Sequence, residues 1–135
     1  MPMTMNGILS KTPQSRRDSS RYVVLKGVKV ARTPYKTLKY TAQTYSTHDA
    51  KENLKKGKPS VYTTMVETNG RQVVVECGCD DFWAVWEVAL NRHKAARIKF
   101  SNGELPTDRN PRLRPGCCKH IFKLGSDLMA KGKVT

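Results

Sequence analysis

Residues 61–79 read VYTTMVETNGRQVVVECGC, two runs of β-favouring residues (61–68 and 71–77) joined by Asn69-Gly70 and closed by Cys77-Gly78-Cys79. Asn-Gly suits a two-residue type I′ turn, because both residues tolerate positive φ, so the stretch predicts a β-hairpin ending in a pair of thiols. Downstream, Asp80 or Asp81 can cap a helix carrying Phe82, Val85, Trp86, Ala89 and Leu90 at spacings of three and four. Acidic residues stand at its start and Arg92, His93 and Lys94 at its end, in accord with the helix dipole, which places the helix at about 81–96. Residues 101–116 hold two glycines and three prolines and exclude long regular structure. A second helix is expected from near Cys118, with Ile121, Phe122, Leu124 and Leu128 on its apolar side, followed by a basic tail at 132–135.

Upstream of the hairpin, 21–31 is β-favouring, with Gly27 as a bulge or bend and Thr33-Pro34 as its end. Leu38, Tyr40 and Ala42 alternate with Lys39, Thr41 and Gln43, the period of two of a half-buried strand. Residues 48–60 are charged and read as a solvated connection. Residues 1–20 are polar, contain two prolines and show no sustained period, which predicts a flexible arm with Lys11, Arg16 and Arg17 free to dock on a partner. The expected architecture is a small α+β domain over 21–131: an antiparallel sheet of three or four strands between 21 and 77, then two helices tied to the hairpin by metal.

The chain of 135 residues carries 25 Lys and Arg against 11 Asp and Glu, a formal charge of +14. Such an excess attracts polyanions or acidic protein surfaces. The charge is segregated: 21–60 has ten basic and two acidic residues, 61–90 one and five, and 91–120 eight and two. With 38% hydrophobic residues and mean hydropathy −0.60, the chain has material for a modest core. No window approaches the roughly 18 apolar residues of a membrane span, and 1–20 lacks the pattern of a secretory leader, so a reducing cytosol is the expected site of synthesis.

The four cysteines fall in two tight clusters, Cys77 with Cys79 and Cys117 with Cys118, and His120 follows two residues after Cys118. Cys77, Cys79, Cys118 and His120 offer three thiolates and one imidazole, a complete tetrahedral shell for a structural zinc ion. Gly78 is expected to let the backbone turn both sulfurs inward. Disulfides in one of three pairings, or small buried thiols, are the alternative readings of the same residues. Cys117 is left over, as a buried spectator, a reactive thiol or a substitute ligand at Cys-X-X-His spacing. His93 is expected to face the helix dipole, and His48 to be solvated.

The order Cys-X-Cys, helix, Cys-X-His resembles the SWIM-type zinc finger over about 61–129, on the four ligand positions and the aromatic residues after the first pair. The resemblance implies Cys77, Cys79, Cys118 and His120 as zinc ligands. The 38 residues between Cys79 and Cys118 exceed the usual SWIM spacing. This insertion, with Ser101-Asn102-Gly103-Glu104-Leu105-Pro106 and Asn110-Pro111-Arg112-Leu113-Arg114-Pro115-Gly116, resembles a variant found in small proteins of tailed bacteriophages, which implies a viral origin.

Catalysis is not expected: there is no Gly-rich phosphate loop and no His-Glu-X-X-His pattern, every cysteine lies in a cluster that suits metal, and four ligands close a zinc site. Two roles remain. One is a structural adaptor of a phage particle (head, neck, tail or baseplate), made in the host cytoplasm and resident in the virion, locking onto acidic neighbours. The other is a nucleic-acid-binding protein presenting Arg92, Lys94, Arg97, Lys99, Arg109, Arg112 and Arg114 to phosphates, assisted by Arg16 and Arg17 of the arm. Neither role involves a membrane or a small-molecule substrate.

Overall fold

The computed structural model describes residues 2–49, 51, 53–101, 103, 106 and 109–135. Asn102, Glu104 and Leu105 of the insertion, and residues 50 and 52 of the charged connection, lie outside the described residues. The elements run α1 (Met5–Lys11), α2 (Gln14–Ser20), β1 (Val23–Arg32), β2 (Leu38–Ser46), β3 (Tyr62–Asn69), β4 (Gln72–Cys77), a π-helical turn (Phe82–Trp86) continuing as α3 (Glu87–Arg92), and α4 (Lys119–Ala130). The four strands form one antiparallel sheet in the order β1-β2-β3-β4, so the α+β expectation holds.

The hairpin forms, with its turn one residue further on than expected. Asn69 remains in the strand opposite Gln72, and Gly70 and Arg71 make the turn, Gly70 alone at φ +64°. A single positive φ at the first turn position is the II′ pattern rather than I′. The register sets Thr64 opposite Cys77 and Val66 opposite Val75, stacking their side chains on the core face. In β1, Gly27 (φ +64°) and Val28 together oppose Ala42, a glycine bulge that shifts the register between Lys26 and Lys29.

Helix α4 packs on the core face of the sheet through Ile121, Leu124, Gly125 and Leu128. It ends in a Schellman motif, in which Gly132 (φ +70°) donates to Met129 O and Lys133 N–H to Leu128 O. That turn buries Val134, and Thr135 O accepts from Asn6 N–H, so the basic tail packs against α1.

The largest correction concerns residues 1–20, which are two packed helices rather than a flexible arm. Thr4 caps α1 by accepting from Gly7 N–H, and Met5 and Ile8 are fully buried. Met5 lies over Gly125, where a Cβ would come within 2.8 Å of its Sδ and Cε. Val73 N–H donates to Met3 O and Thr4 bridges to Gln72, sewing the N-terminal segment to the free edge of β4. Arg17 donates to the carbonyls of Leu9, Ser10 and Thr12, joining α2 to the end of α1.

The helix expected over 81–96 stops at Arg92. Lys94 adopts φ +57°, Ala95 N–H bonds Leu90 O, and Ala95 and Ala96 turn into the core. Its carboxylates do other work than capping: Asp81 makes no cap bond but receives Trp86 Nε1 and Arg16. Buried Glu87 gathers the N–H groups of Lys99, Phe100 and Ser101 and the Ser101 hydroxyl, which anchors the chain after the helix. His93 is the C-cap residue of α3, and His48 stacks on Tyr22 with ring centroids 4.0 Å apart instead of being merely solvated.

If α1 is part of the core, Met5→Ala leaves a cavity against Gly125 and lowers unfolding free energy by about 2–5 kcal/mol. Urea denaturation followed by circular dichroism measures this, and a change below about 0.5 kcal/mol is the result a mobile arm would give.

Candidate metal centre

Cys77 ends β4 on the same face as buried Val73 and Val75, so strand alternation alone turns its sulfur inward. Cys79, itself at a bend, follows after one residue. Gly78 is not in the left-handed region, and a Cβ there would meet only the Phe100 ring at 3.6 Å, so the glycine is not what turns the sulfurs. From the other side, Cys118 is the N-cap residue of α4 and His120 lies in its first turn. Because α4 packs against β3 and β4, its N-terminus meets the end of the hairpin.

One ligand atom from each of Cys77, Cys79, Cys118 and His120 lies within 4.8 Å of all the others, and all four residues are buried. A tetrahedral ion with bonds of about 2.3 Å to sulfur has ligand–ligand edges of about 3.7 Å, so small side-chain adjustments suffice to close the shell. Two observations fit a cation at this centre. Among the described residues, His120 Nδ1 is buried with no hydrogen-bond partner. The three thiols are also too close to ionise together: hydrogen bonds from Cys118 and Cys79 draw the Cys77 thiol well down, while burial, with the hydrogen bond to Cys77, pushes Cys118 well up. A divalent ion removes that conflict by supplying positive charge to all three sulfurs.

The surroundings orient the donors. Thr64 Oγ1 donates to Cys77 Sγ at 3.5 Å and lies 2.8 Å from Thr44 Oγ1, which also reaches Tyr62 O at 3.0 Å. The Tyr62 ring stands 5.2 Å from the His120 ring and tilted to it. Arg16 bonds both oxygens of Asp81, at 3.2 and 2.6 Å; Asp81 raises the guanidinium pKa most, and the nearby Cys118 and Cys79 add to it. These partners escape sequence reading. The alternation of Thr64 with Val66 puts the hydroxyl on the core face, but only the fold brings it to a sulfur.

Cys117 does not join the cluster. Its N–H donates to Thr12 Oγ1, its Sγ lies 3.4 Å from the same atom, and burial pushes its thiol up to about 12. It is the buried spectator among the sequence alternatives, and the four cysteines are all free thiols in the structure. Gly116, just before it, passes across Trp86, where a Cβ would be 2.8 Å from the ring. Asn110 holds this approach by bonding Val85 O in the π-helical turn and both backbone groups of Arg114.

The expected contact residues are not gathered into one cluster with the centre. Arg16 and Arg17 are engaged internally, as described. Arg97 pairs with Glu67 at 3.3 Å and Lys99 with Glu76 at 3.0 Å, so both tie the segment after α3 to the sheet. Arg92 and Lys94 are exposed at the end of α3, and Arg109, Arg112 and Arg114 are exposed in the loop before α4. Among the described residues these five have no ion-pair partner. Neither a family model nor a curated protein nor a solved structure matches this chain.

Metal analysis of protein purified without chelator should give one ion per chain, and His120→Ala should abolish it. Thr64→Val keeps the shape of the side chain but removes the hydrogen bond to Cys77, and should weaken metal affinity by roughly tenfold in a chelator competition. Iodoacetamide at pH 8 should leave Cys117 unmodified in the folded protein, because a neutral, buried thiol is a poor nucleophile; its labelling at the rate of a denatured control would refute the assignment.

Proposed function

We propose that the protein is a non-enzymatic adaptor built around a structural zinc ion held by Cys77, Cys79, Cys118 and His120, and that it serves as a component of a tailed-phage particle. The observation that carries the reading is the buried Cys3His set at the junction of β4 and α4. Three thiolates and an imidazole suit zinc, and four protein ligands leave no open position for substrate or activated water. Zinc in this place joins the hairpin to the helix that carries much of the core, so its binding free energy is folding free energy, on the order of 10 kcal/mol in small zinc modules. With zinc bound, three thiolates leave one net negative charge, which Arg16 and Lys119 are placed to offset.

The partner-binding role falls to the surfaces. A formal charge of +14 favours acidic neighbours, and the long-insert SWIM resemblance points to a phage. Since Arg16 and Arg17 serve the fold, docking rests on cations that have no internal partner rather than on an arm. A nucleic-acid-binding role is the second reading, supported by exposed Arg92, Lys94, Arg109 and Arg112.

Mass spectrometry of purified particles should find the chain at a fixed copy number, and its absence would sink the adaptor reading. In a duplex DNA titration the adaptor reading expects a shallow dependence on salt. A slope of several phosphates, reduced in Arg109→Ala/Arg112→Ala, would instead favour the nucleic-acid role.

A further inference from the structure

The two edges of the sheet are treated differently. On β4, Val73 N–H is bonded to Met3 O, Val75 N–H to Ala95 O, and Thr4 bridges to Gln72, so that edge is occupied. Among the described residues, β1 pairs only with β2. The core covers the start of β1, where Val23 is buried and Val24 and Leu25 are half-buried, but every residue from 26 to 32 is exposed. Val30 is 59% exposed and Tyr35, in the turn to β2, 86% exposed, so the end of this hairpin stands clear of the helices.

From these observations we infer that the outer edge of β1, residues 26–32, receives an extended acidic segment of a partner protein, which adds to the sheet as a fifth strand. The inference deepens the adaptor reading and rests on it. An open edge supplies unpaired backbone donors and acceptors, the affinity element of strand addition. Charge identifies the occupant. No Asp or Glu occurs between residues 19 and 48, while Lys26, Lys29, Arg32, Lys36 and Lys39 do. Among the described residues none of these five cations has an ion-pair partner. Glu67, the cross-strand neighbour of Lys39, is already engaged by Arg97 and Thr37.

The same charges exclude a second copy of this chain, because pairing two β1 edges would set Lys26, Lys29 and Arg32 against themselves. The bulge at Gly27 fixes the alternation beyond it. Val30, opposite Tyr40, lies on the core side of the sheet, and Lys29, opposite Thr41, on the other, where Lys26 and Lys39 also point. A matching strand therefore carries β-branched residues at alternate positions and carboxylates between them, so that Val30 meets apolar side chains and Lys29 meets acidic ones.

The test uses the full zinc-loaded chain and a fluorescein-labelled ten-residue peptide alternating Val or Thr with Glu. The peptide should bind, slow amide exchange at 26–32 by at least tenfold, and lose at least tenfold in affinity to Lys26→Glu/Lys29→Glu, a variant with unchanged melting temperature and zinc content. A peptide with Lys in place of Glu should not bind. The inference is overturned by an absence of protection at 26–32, by equal binding of the Lys peptide, by a single-stranded oligonucleotide protecting those amides more strongly than the Glu peptide, or by their protection through self-association without peptide. Failure here, with the chain present at fixed copy number in particles, removes the β1 rail and leaves the adaptor reading standing. Absence from particles removes that reading whatever the peptide does.

Discussion

The constraint on which the structure depends is the meeting of β4 and α4 at four buried donor atoms. Sulfur and imidazole groups so close together, with His120 Nδ1 lacking a hydrogen-bond partner among the described residues, form a poor apolar core and a poor hydrogen-bond network. A cation held there would reconcile them. Because Cys77 ends the hairpin and Cys118 starts the helix, satisfying the donors also fixes where α4 begins on the sheet. The positions of Ile121, Leu124 and Leu128 along the core follow from that starting point.

The N-terminal helices complete what the Cys3His cluster begins. Met5 packs on Gly125, Arg17 holds the carbonyls at the end of α1, and Arg16 reaches Asp81 beside the cysteines. These contacts explain why a polar segment is ordered. Its apolar residues, Met5, Ile8 and Leu9, do follow helical spacing, but over only seven residues, too short a window to stand out beside Pro13 and the run of polar residues after it. What orders the segment is a complementary surface formed by residues far along the chain, and no local pattern encodes that surface.

The same distinction separates what was legible from what was not. The hairpin, the Gly27 bulge, the alternation of β2 and the start of α4 were readable because each rests on local chemistry: turn residues, strand period and the helical spacing of apolar residues. The cysteine and histidine spacing picked out the four residues that the fold gathers into a cluster able to hold a metal ion, since two short-range pairs need only one tertiary contact to meet. The turn at Gly70-Arg71 and the early end of α3 departed from expectation where tertiary pairing overrode local preference, through the Thr64–Cys77 register and the burial of Ala95 and Ala96. Glu87 and Asn110 were invisible for another reason. Each is a polar residue whose partners, the Ser101 hydroxyl apart, are backbone groups, and backbone groups carry no signature in a sequence.

The charge follows the same logic of local and distant partners. Summed along the chain, the cations form one undifferentiated excess, yet the fold divides them. Arg16, Arg97 and Lys99 meet carboxylates brought near by tertiary structure, and their pairing helps hold surface segments in place. Among the described residues the cations of the β1–β2 hairpin have no ion-pair partner, because that stretch lacks acidic residues and Glu67, opposite Lys39, is engaged by Arg97 and Thr37. Exposed charges there add little to stability, and mutual repulsion makes their clustering mildly unfavourable in the isolated chain. A fold that seals one sheet edge with its own N-terminus and leaves the other open under concentrated positive charge thus bears a stability cost in the free chain that an acidic neighbour would relieve.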